Sequence, residues 1–185
     1  MTLNFTSFPE RKSTESIKWN YYDGDVLPMW VADMDFTSPP AVLKALHERV
    51  DHGIFGYPGE LKGLKESILE RLESQFQWHL TPEDIVYVPG VVSGFNWVVQ
   101  SVTQLGEGMI IQTPVYPPFF SAFKNAGLVQ QEMELTVGSK GQYEIDFDRF
   151  AAAFDSSSKM FLLCNPHNPI GRVFTRAALE RMAEE

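Results

Sequence analysis

A glycine-containing turn at residues 89–94, with the sequence Pro-Gly-Val-Val-Ser-Gly, is the first segment whose residue types could do chemistry. It lies between a short apolar run and a helical pattern, so it is expected to open a helix. The first N–H groups of a helix have no partner inside the helix and carry the positive end of its dipole, which suits a phosphate. The Ser93 hydroxyl would add a donor. The alternative is a plain strand-to-helix turn in which Ser93 only caps the helix.

Two proline-rich segments supply an aromatic ring and an amide. Prolines on both sides of Tyr116 restrict the backbone, so its ring could be held in place to stack on a flat ligand. The alternative is a core tyrosine in a stiff loop. Asn168 lies in residues 165–171 between two prolines, and its amide can donate to a ring oxygen, although a turn without any ligand is also possible. His167 suggests a general base, but we favour a surface or turn-stabilising histidine.

Two further segments carry weaker signals. Residues 29–36 contain two carboxylates, Asp33 and Asp35, which could indicate a metal site or an acid–base pair. No histidine or further carboxylate lies at metal-ligand spacing, so we predict no metal. The Phe-Gly-Tyr-Pro-Gly sequence at residues 55–59 predicts a turn that exposes Tyr57.

The elements around these segments predict an α/β fold. Residues 1–36 are aromatic and irregular, typical of an arm, and two helices follow at about 40–52 and 60–76. Short apolar runs then alternate with helices, which implies a largely parallel sheet with helices on both faces. The predicted strands are 85–88, 109–111, 128–135 near an edge, and 160–163; the predicted helices between and after them are 92–105, 117–125, 147–154 and 175–185. Ligands bind such sheets outside the carboxyl ends of the strands.

Composition narrows the class of protein. With 24 acidic and 15 basic residues the net charge is -9, which argues against nucleic acid or an anionic membrane as a partner. The single cysteine, Cys164, is interpreted as the end of a buried strand, and with no targeting or membrane segment evident we expect a cytoplasmic protein. The final helix reaches Glu185 without a cap, so we expect that the chain is cut short.

The segments MWVADMDF, FGYPG, TPVYPPFF and NPHNPIG occur in this order, and together they resemble the cystathionine β-lyase group of the class I/II aminotransferases, which are fold-type I enzymes dependent on pyridoxal 5′-phosphate (PLP). The resemblance spans essentially the whole chain and implies the amino-terminal half of such an enzyme. It implies an arm and part of the small domain at residues 1–36, and an incomplete PLP-binding large domain at 37–185.

The resemblance also implies residue roles. It implies that Val91, Val92 and Ser93 contact the cofactor phosphate and that Tyr116 stacks on the cofactor ring. It implies that Asn168 forms a hydrogen bond with the ring 3′ oxygen. Tyr57 would reach the phosphate site of the neighbouring subunit. Ala32 and its neighbours, Trp30 and Asp33, would line the substrate carboxylate site. Ile170 stands where the family usually has threonine, which weakens any hydroxyl role there.

The implied activity is that of a homodimeric PLP-dependent carbon–sulfur β-lyase, which releases a thiol, pyruvate and ammonia from an amino acid such as cystathionine. The family's Schiff-base lysine, the aspartate at the ring nitrogen and the substrate-binding arginine would lie beyond Glu185, so no catalytic residue is assigned here and the 185-residue chain alone is expected to be inactive. Transamination on the same fold is one alternative. A non-catalytic binding or regulatory fragment is another.

Overall fold

A computed structural model describes residues 5–6, 8–60 and 62–185, and its chain forms two compact units, Met1–Arg71 and Leu72–Glu185. We call these the first and the second unit. The boundary lies within a helix, α3. The predicted division into 1–36 and 37–185 concerns the domains of a complete family member and stays a prediction.

The described residues before residue 37 are irregular apart from a short helix α1 (Ile17–Asn20), as predicted for an arm. Helix α2 (Pro40–His52) begins with a proline and ends at Gly53, whose φ of 72° only glycine adopts at little cost, and whose N–H bonds the Val50 carbonyl at 3.0 Å. Helix α3 (Lys62–Phe76) ends where predicted, whereas its predicted first turn includes residue 61, which lies outside the described residues.

The second unit is built on three parallel strands in the order β2-β1-β5. Their bounds are β1 Gly108–Thr113, β2 Val129–Glu134 and β5 Ser158–Leu162, so β2 is an edge strand as predicted. The helices are α4 Val91–Val102, α5 Pro118–Ala126, α6 Phe147–Ala152 and α7 Arg176–Glu184, and a 3₁₀ turn occupies Pro82–Asp84. A two-stranded antiparallel hairpin that the sequence pattern did not predict joins β3 (Thr136–Val137) to β4 (Tyr143–Glu144).

Both faces of this sheet are covered by helices, which confirms the predicted fold class. Because side chains alternate along a strand, Met109 and Ile111 of β1 pack with α4 and α5, while Phe161 of β5 faces the opposite side and packs with Phe150 of α6. Gln112 is also buried, and its amide has no hydrogen-bond partner in the part of the chain that the structure describes.

The predicted strand at residues 85–88 is wrong. These residues pair with no strand among those that the structure describes, and Val86 is 80% exposed. An apolar run indicates burial, but a strand also needs a neighbouring strand to bond its backbone groups. Val88 instead contacts α4, where a Cβ on Gly94 would lie 3.2 Å from the Val88 Cγ2 atom.

Candidate functional site

A cavity of about 440 Å³ lies in the second unit, where β1 and β5 end and α4 begins. We call it the strand-end cavity. Three segments line it, and two of them follow the observed strands β1 and β5, as expected for ligand sites in parallel sheets. Its lining residues are Gly90, Val91, Val92, Ser93, Phe95, Tyr116, Phe119, Leu163, Cys164, Asn165 and Pro166.

The amino terminus of α4 forms one wall of this cavity. Gly90 is the N-cap, with no side-chain cap, and the N–H of Gly94 donates to its carbonyl at 2.9 Å as the first bond of the helix. The N–H groups of Val91, Val92 and Ser93 therefore have no acceptor within the helix. Ser93 is the third helical residue, so it is not the cap, and its hydroxyl has no partner among the described residues.

Gly90 leaves room for a ligand to approach the backbone. Its φ and ψ are both 164°, an extended conformation that other residues adopt, so the glycine is not required by backbone strain. A Cβ at this position would have no atom within 4 Å. The helix terminus thus offers N–H groups, the positive end of a dipole and an unobstructed approach, which together suit an anion such as a phosphate.

The ring of Tyr116 lies on a second wall of the same cavity, and it is held by aromatic contacts. Its centroid lies 6.5 Å from that of Phe119 at an interplanar angle of 72°, and Phe119 in turn contacts Phe95 at 5.2 Å. The Phe119 N–H donates to the Tyr116 carbonyl at 3.0 Å. A planar ligand can therefore meet a half-exposed phenol ring whose position is fixed by its neighbours.

The loop after β5 supplies the third wall, through residues to which the sequence analysis assigned no site role. Asn165 lines the cavity, and its side-chain oxygen accepts the Phe174 N–H at 3.1 Å, which leaves the amide N–H₂ group for a ligand. Cys164 was expected at the end of a buried strand, but β5 ends at Leu162 and Cys164 lies in the following loop. It is half-buried, packs against the core and also lines the cavity. Asn165 lies two residues after the predicted strand at 160–163, and this position near a strand end is the signal that could have identified it.

The predicted donor Asn168 lies in the same loop but is not among the lining residues. Its backbone N–H donates to the Cys164 sulfur at 3.4 Å, and its side chain has no hydrogen-bond partner among the residues described. The loop is closed by His167, whose N–H donates to the Arg172 carbonyl at 2.7 Å and whose carbonyl accepts from Gly171 at 2.8 Å.

His167 joins this loop to the one that carries Tyr116. Its Nε2 atom lies 2.9 Å from the Pro114 carbonyl oxygen, and its ring packs edge-on against Phe174. Burial lowers the pKa of His167, although its bond to the Pro114 carbonyl partly opposes the shift. A neutral ring that donates from Nε2 satisfies this geometry. The turn-stabilising interpretation is therefore right, whereas the surface position is wrong, since the residue is 1% exposed.

The remaining predicted site residues belong to the first unit. The side chain of Tyr57 is fully exposed, as predicted, although residues 55–59 have no assigned turn. Ala32 and Asp33 line a separate cavity of about 660 Å³, which we call the arm cavity. Trp30 does not line it, and instead contacts the Tyr21 ring at 4.9 Å. The arm cavity is lined by Phe5, Ala32, Asp33, Met34, Phe36, Thr37, Ser38, Pro39, Pro40 and Leu43.

Asp33 and Asp35 both form ion pairs with basic residues of the arm. Asp33 contacts Arg11, and Asp35 contacts Arg11 and Lys18. In the described ranges no cluster of three or more His, Cys, Asp or Glu side chains is arranged to hold a metal. Among the same residues, no helix has the length and apolar character needed to cross a membrane.

The family model of class I and II aminotransferases matches residues 25–185. The chain belongs to this family. Family members include the cystathionine β-lyase PatB of Bacillus subtilis (strain 168), which is 39% identical over 98% of this chain and 48% of its own length. The chain spans about half the length of the curated relatives it matches.

Solved structures of the family have the same fold. Cystalysin from Treponema denticola, which contains PLP, has a TM-score of 0.89 at 34% identity, over 100% of this chain and 48% of its own. The PLP-bound C–S lyase from Staphylococcus hominis has a TM-score of 0.86 at 30% identity, over 98% of this chain and 47% of its own. These similarities confirm the predicted resemblance and the PLP-dependent family.

Proposed function

We propose that the strand-end cavity binds PLP and that the full-length protein is a PLP-dependent carbon–sulfur β-lyase acting on a sulfur amino acid. The observation that carries the proposal is the uncapped terminus of α4, which opens beside Gly90 into a cavity walled by a fixed aromatic ring. The similarity to cystathionine and C–S lyases supports the choice of reaction.

The donors present suit the chemistry of this cofactor. The free N–H groups of Val91, Val92 and Ser93, with the Ser93 hydroxyl, would hold the phosphate at the positive end of the helix dipole. The Tyr116 ring would stack on the pyridine face. The Asn168 side chain, which has no partner among the described residues, is proposed to donate to the ring 3′ oxygen. Asn165, which lines the cavity and has a free amide N–H₂ group, would add a second donor. A volume of about 440 Å³ lies in the ordinary range for cofactor sites.

The bound cofactor would act as the electron sink that permits loss of the substrate's α proton. This chain's own residues would orient the ring through Tyr116 and Asn168 and would hold the phosphate charge at the amino terminus of α4. Phe95 and Phe119 would cover part of the cavity wall with apolar surface. We propose that Ala32 and its neighbours Trp30 and Asp33 line the substrate carboxylate site. We assign neither the covalent anchor of the cofactor nor the partner of its ring nitrogen among residues 1–185.

We further propose that the full-length protein is a homodimer with its active site at the interface. The exposed side chain of Tyr57 would reach the phosphate site of the neighbouring subunit. A Tyr57→Phe variant is expected to bind PLP more weakly, with an unchanged dimer mass in solution. Normal PLP affinity in this variant would contradict the assignment.

The decisive assay incubates full-length protein with L-cystathionine and measures pyruvate with and without added PLP. PLP-dependent pyruvate release is expected, and its absence would refute the lyase proposal. Ser93→Ala is expected to raise the PLP dissociation constant about tenfold through loss of one charge-assisted hydrogen bond. The matched control is Ser101→Ala on the same helix, whose hydroxyl bonds only the Val98 carbonyl and whose loss should leave PLP affinity unchanged.

Transamination is the second candidate, favoured by the family to which the chain belongs. It predicts that an amino acid converts the cofactor to its pyridoxamine form without thiol release, which absorption spectroscopy detects. A non-catalytic binding role predicts instead a macromolecular partner that binds with or without PLP. PLP-dependent turnover by the full-length protein would exclude that role as its sole function.

A further inference from the structure

Two basic side chains of the arm converge on a three-residue segment, Asp33 to Asp35. The Arg11 guanidinium donates to the Asp33 carboxylate at 2.7 Å and to the Asp35 carboxylate at 2.9 Å. The Lys18 ammonium donates to the other Asp35 oxygen at 2.7 Å. We call these four residues the arm clamp.

The arm clamp also holds the backbone of this segment. Lys18 donates to the Asp33 carbonyl at 2.5 Å, and Arg11 donates to the Met34 carbonyl at 3.1 Å. Two carboxylates and two successive carbonyls are thus bound by two cations. Residues 32–35 form no helix or strand of their own, so these contacts replace the backbone ladder that would otherwise fix them.

The part of the arm clamp around Lys18 and Asp35 is sheltered from solvent, whereas the Asp33 side chain is 44% exposed. Lys18 is 8% exposed, and the Trp19 indole N–H donates to Asp35 at 2.7 Å, so this carboxylate has three donors. Hydrogen bonds from Lys18 and Trp19 lower the pKa of Asp35 to about 2, so it stays ionised at any physiological pH. A lysine is rarely buried without such a partner.

The bound segment forms one side of the arm cavity. Ala32, Asp33 and Met34 all line that cavity, and Met34 is 78% exposed although its carbonyl is bound by Arg11. The clamp therefore fixes the backbone while the Ala32 and Met34 side chains stay accessible. Asp33 is engaged with Arg11 and is not a free acid for proton transfer.

We propose that Arg11 and Lys18 are positioning residues, which hold residues 32–35 in the geometry that receives the amino-acid substrate. This inference rests on the proposed role of Ala32 and its neighbours in the substrate carboxylate site. Arg11 and Lys18 themselves line neither the arm cavity nor the strand-end cavity. The clamp acts by removing the freedom of an irregular segment before the substrate binds, so its loss weakens substrate binding more than it changes the later chemistry.

The test compares Lys18→Met with Lys18→Arg and Lys12→Met in the full-length protein with PLP bound. Lys12→Met is the matched control, because Lys12 belongs to the same arm but pairs at 3.6 Å with the fully exposed Asp25. The probe is L-alanine, which carries the substrate's α-amino and α-carboxyl groups and no β leaving group. Its apparent dissociation constant is read from the change in cofactor absorption, and KM and kcat are measured with the thiol-releasing substrate.

Lys18→Met is expected to raise the dissociation constant for L-alanine and the KM about tenfold, with a smaller change in kcat and unchanged PLP content. Lys18→Arg is expected to recover most of this loss, and Lys12→Met to match the wild type. A Lys18→Met protein with wild-type affinity for L-alanine would overturn the proposal, as would a folded Lys18→Arg protein as impaired as Lys18→Met.

If Lys18→Met fails to fold, Arg11→Lys decides the question. It keeps a cation beside Asp33 but cannot reach all of its present acceptors, so a folded Arg11→Lys protein with unchanged L-alanine affinity overturns the proposal. Failure of the lyase proposal appears separately, as a wild type that binds L-alanine but releases no pyruvate. If the wild-type cofactor absorption does not respond to L-alanine, KM and kcat decide, and an unchanged KM in Lys18→Met overturns the positioning proposal.

Discussion

The Gly90→Ala variant tests whether the amino terminus of α4 binds a phosphate or is only the start of a helix. The new methyl group would meet no protein atom within 4 Å, and the φ of 164° is accessible to alanine. Replacing glycine at a compatible position stabilises a protein by about 0.4–1 kcal/mol through the unfolded chain, and a small loss of N-cap preference opposes this. The free energy of unfolding should therefore change by less than about 1 kcal/mol.

The effect on PLP affinity should be much larger. The methyl group would project from a residue that lines the strand-end cavity, beside the free N–H groups of α4. Displacing the phosphate from one charge-assisted hydrogen bond costs about 1.5–3 kcal/mol, which raises the dissociation constant by roughly 10- to 150-fold. Absorbance titration of apo full-length protein with PLP measures this constant, and urea unfolding measures stability.

Two glycine variants serve as controls. Gly63→Ala adds a methyl group in α3 that also meets no atom within 4 Å, and it should change neither PLP affinity nor folding adversely. Gly94→Ala places a methyl group 3.2 Å from Val88 and should lower stability more than Gly90→Ala does. An unchanged PLP dissociation constant in Gly90→Ala would refute phosphate binding at the amino terminus of α4. A loss of more than about 2 kcal/mol in stability would show that Gly90 has a folding role instead.

Four further outcomes are expected. His167→Ala leaves the Pro114 carbonyl without its donor and should cost about 1–3 kcal/mol in urea unfolding, most of which His167→Gln should restore; equal losses in the two variants would contradict this. The pKa of Asp35 is lowered from 3.8 to about 2, so its contribution to the free energy of unfolding is present above about pH 4 and is lost as the pH falls toward about 2. Urea unfolding across that pH range should show this loss in the wild type but not in Asp35→Asn. Phe150→Ala, at a residue with no exposed surface, should cost about 3–5 kcal/mol, and a cost below about 1 kcal/mol would refute the packing. Gln112→Leu removes a buried amide without partners and should raise the midpoint of thermal unfolding, whereas a lower midpoint would indicate a partner for that amide.

The sequence pattern predicted the second unit well because its elements have local signatures. The apolar run at 109–111 and the glycine-containing turn before α4 depend on neighbouring residues, and both were found with small shifts in their bounds. The run at 85–88 has the same signature but finds no pairing strand among the described residues, and pairing cannot be read from local pattern.

The site could be predicted only where a motif lies directly at a strand end. Ser93 and Tyr116 line the strand-end cavity as expected, whereas Asn165 lines it in place of the predicted Asn168. The motif indicates that this loop carries an asparagine donor, but it does not show which of two asparagines three residues apart lines the cavity. No local sequence pattern predicted the arm clamp. Arg11 lies 22 residues from Asp33 and Lys18 lies 17 residues from Asp35, and the segment between them is irregular apart from α1.

The hydrogen bond from His167 to Pro114 has a consequence for how these loops can evolve. One contact joins the loop carrying Tyr116 to the loop carrying Asn168. The effect of a substitution in one loop therefore depends on which residues the other loop carries. The effects of Pro114 and His167 substitutions should therefore be non-additive, in the manner of directly contacting residues. Each loop therefore limits the substitutions that the other can accept, and we expect the two loops to change together during evolution.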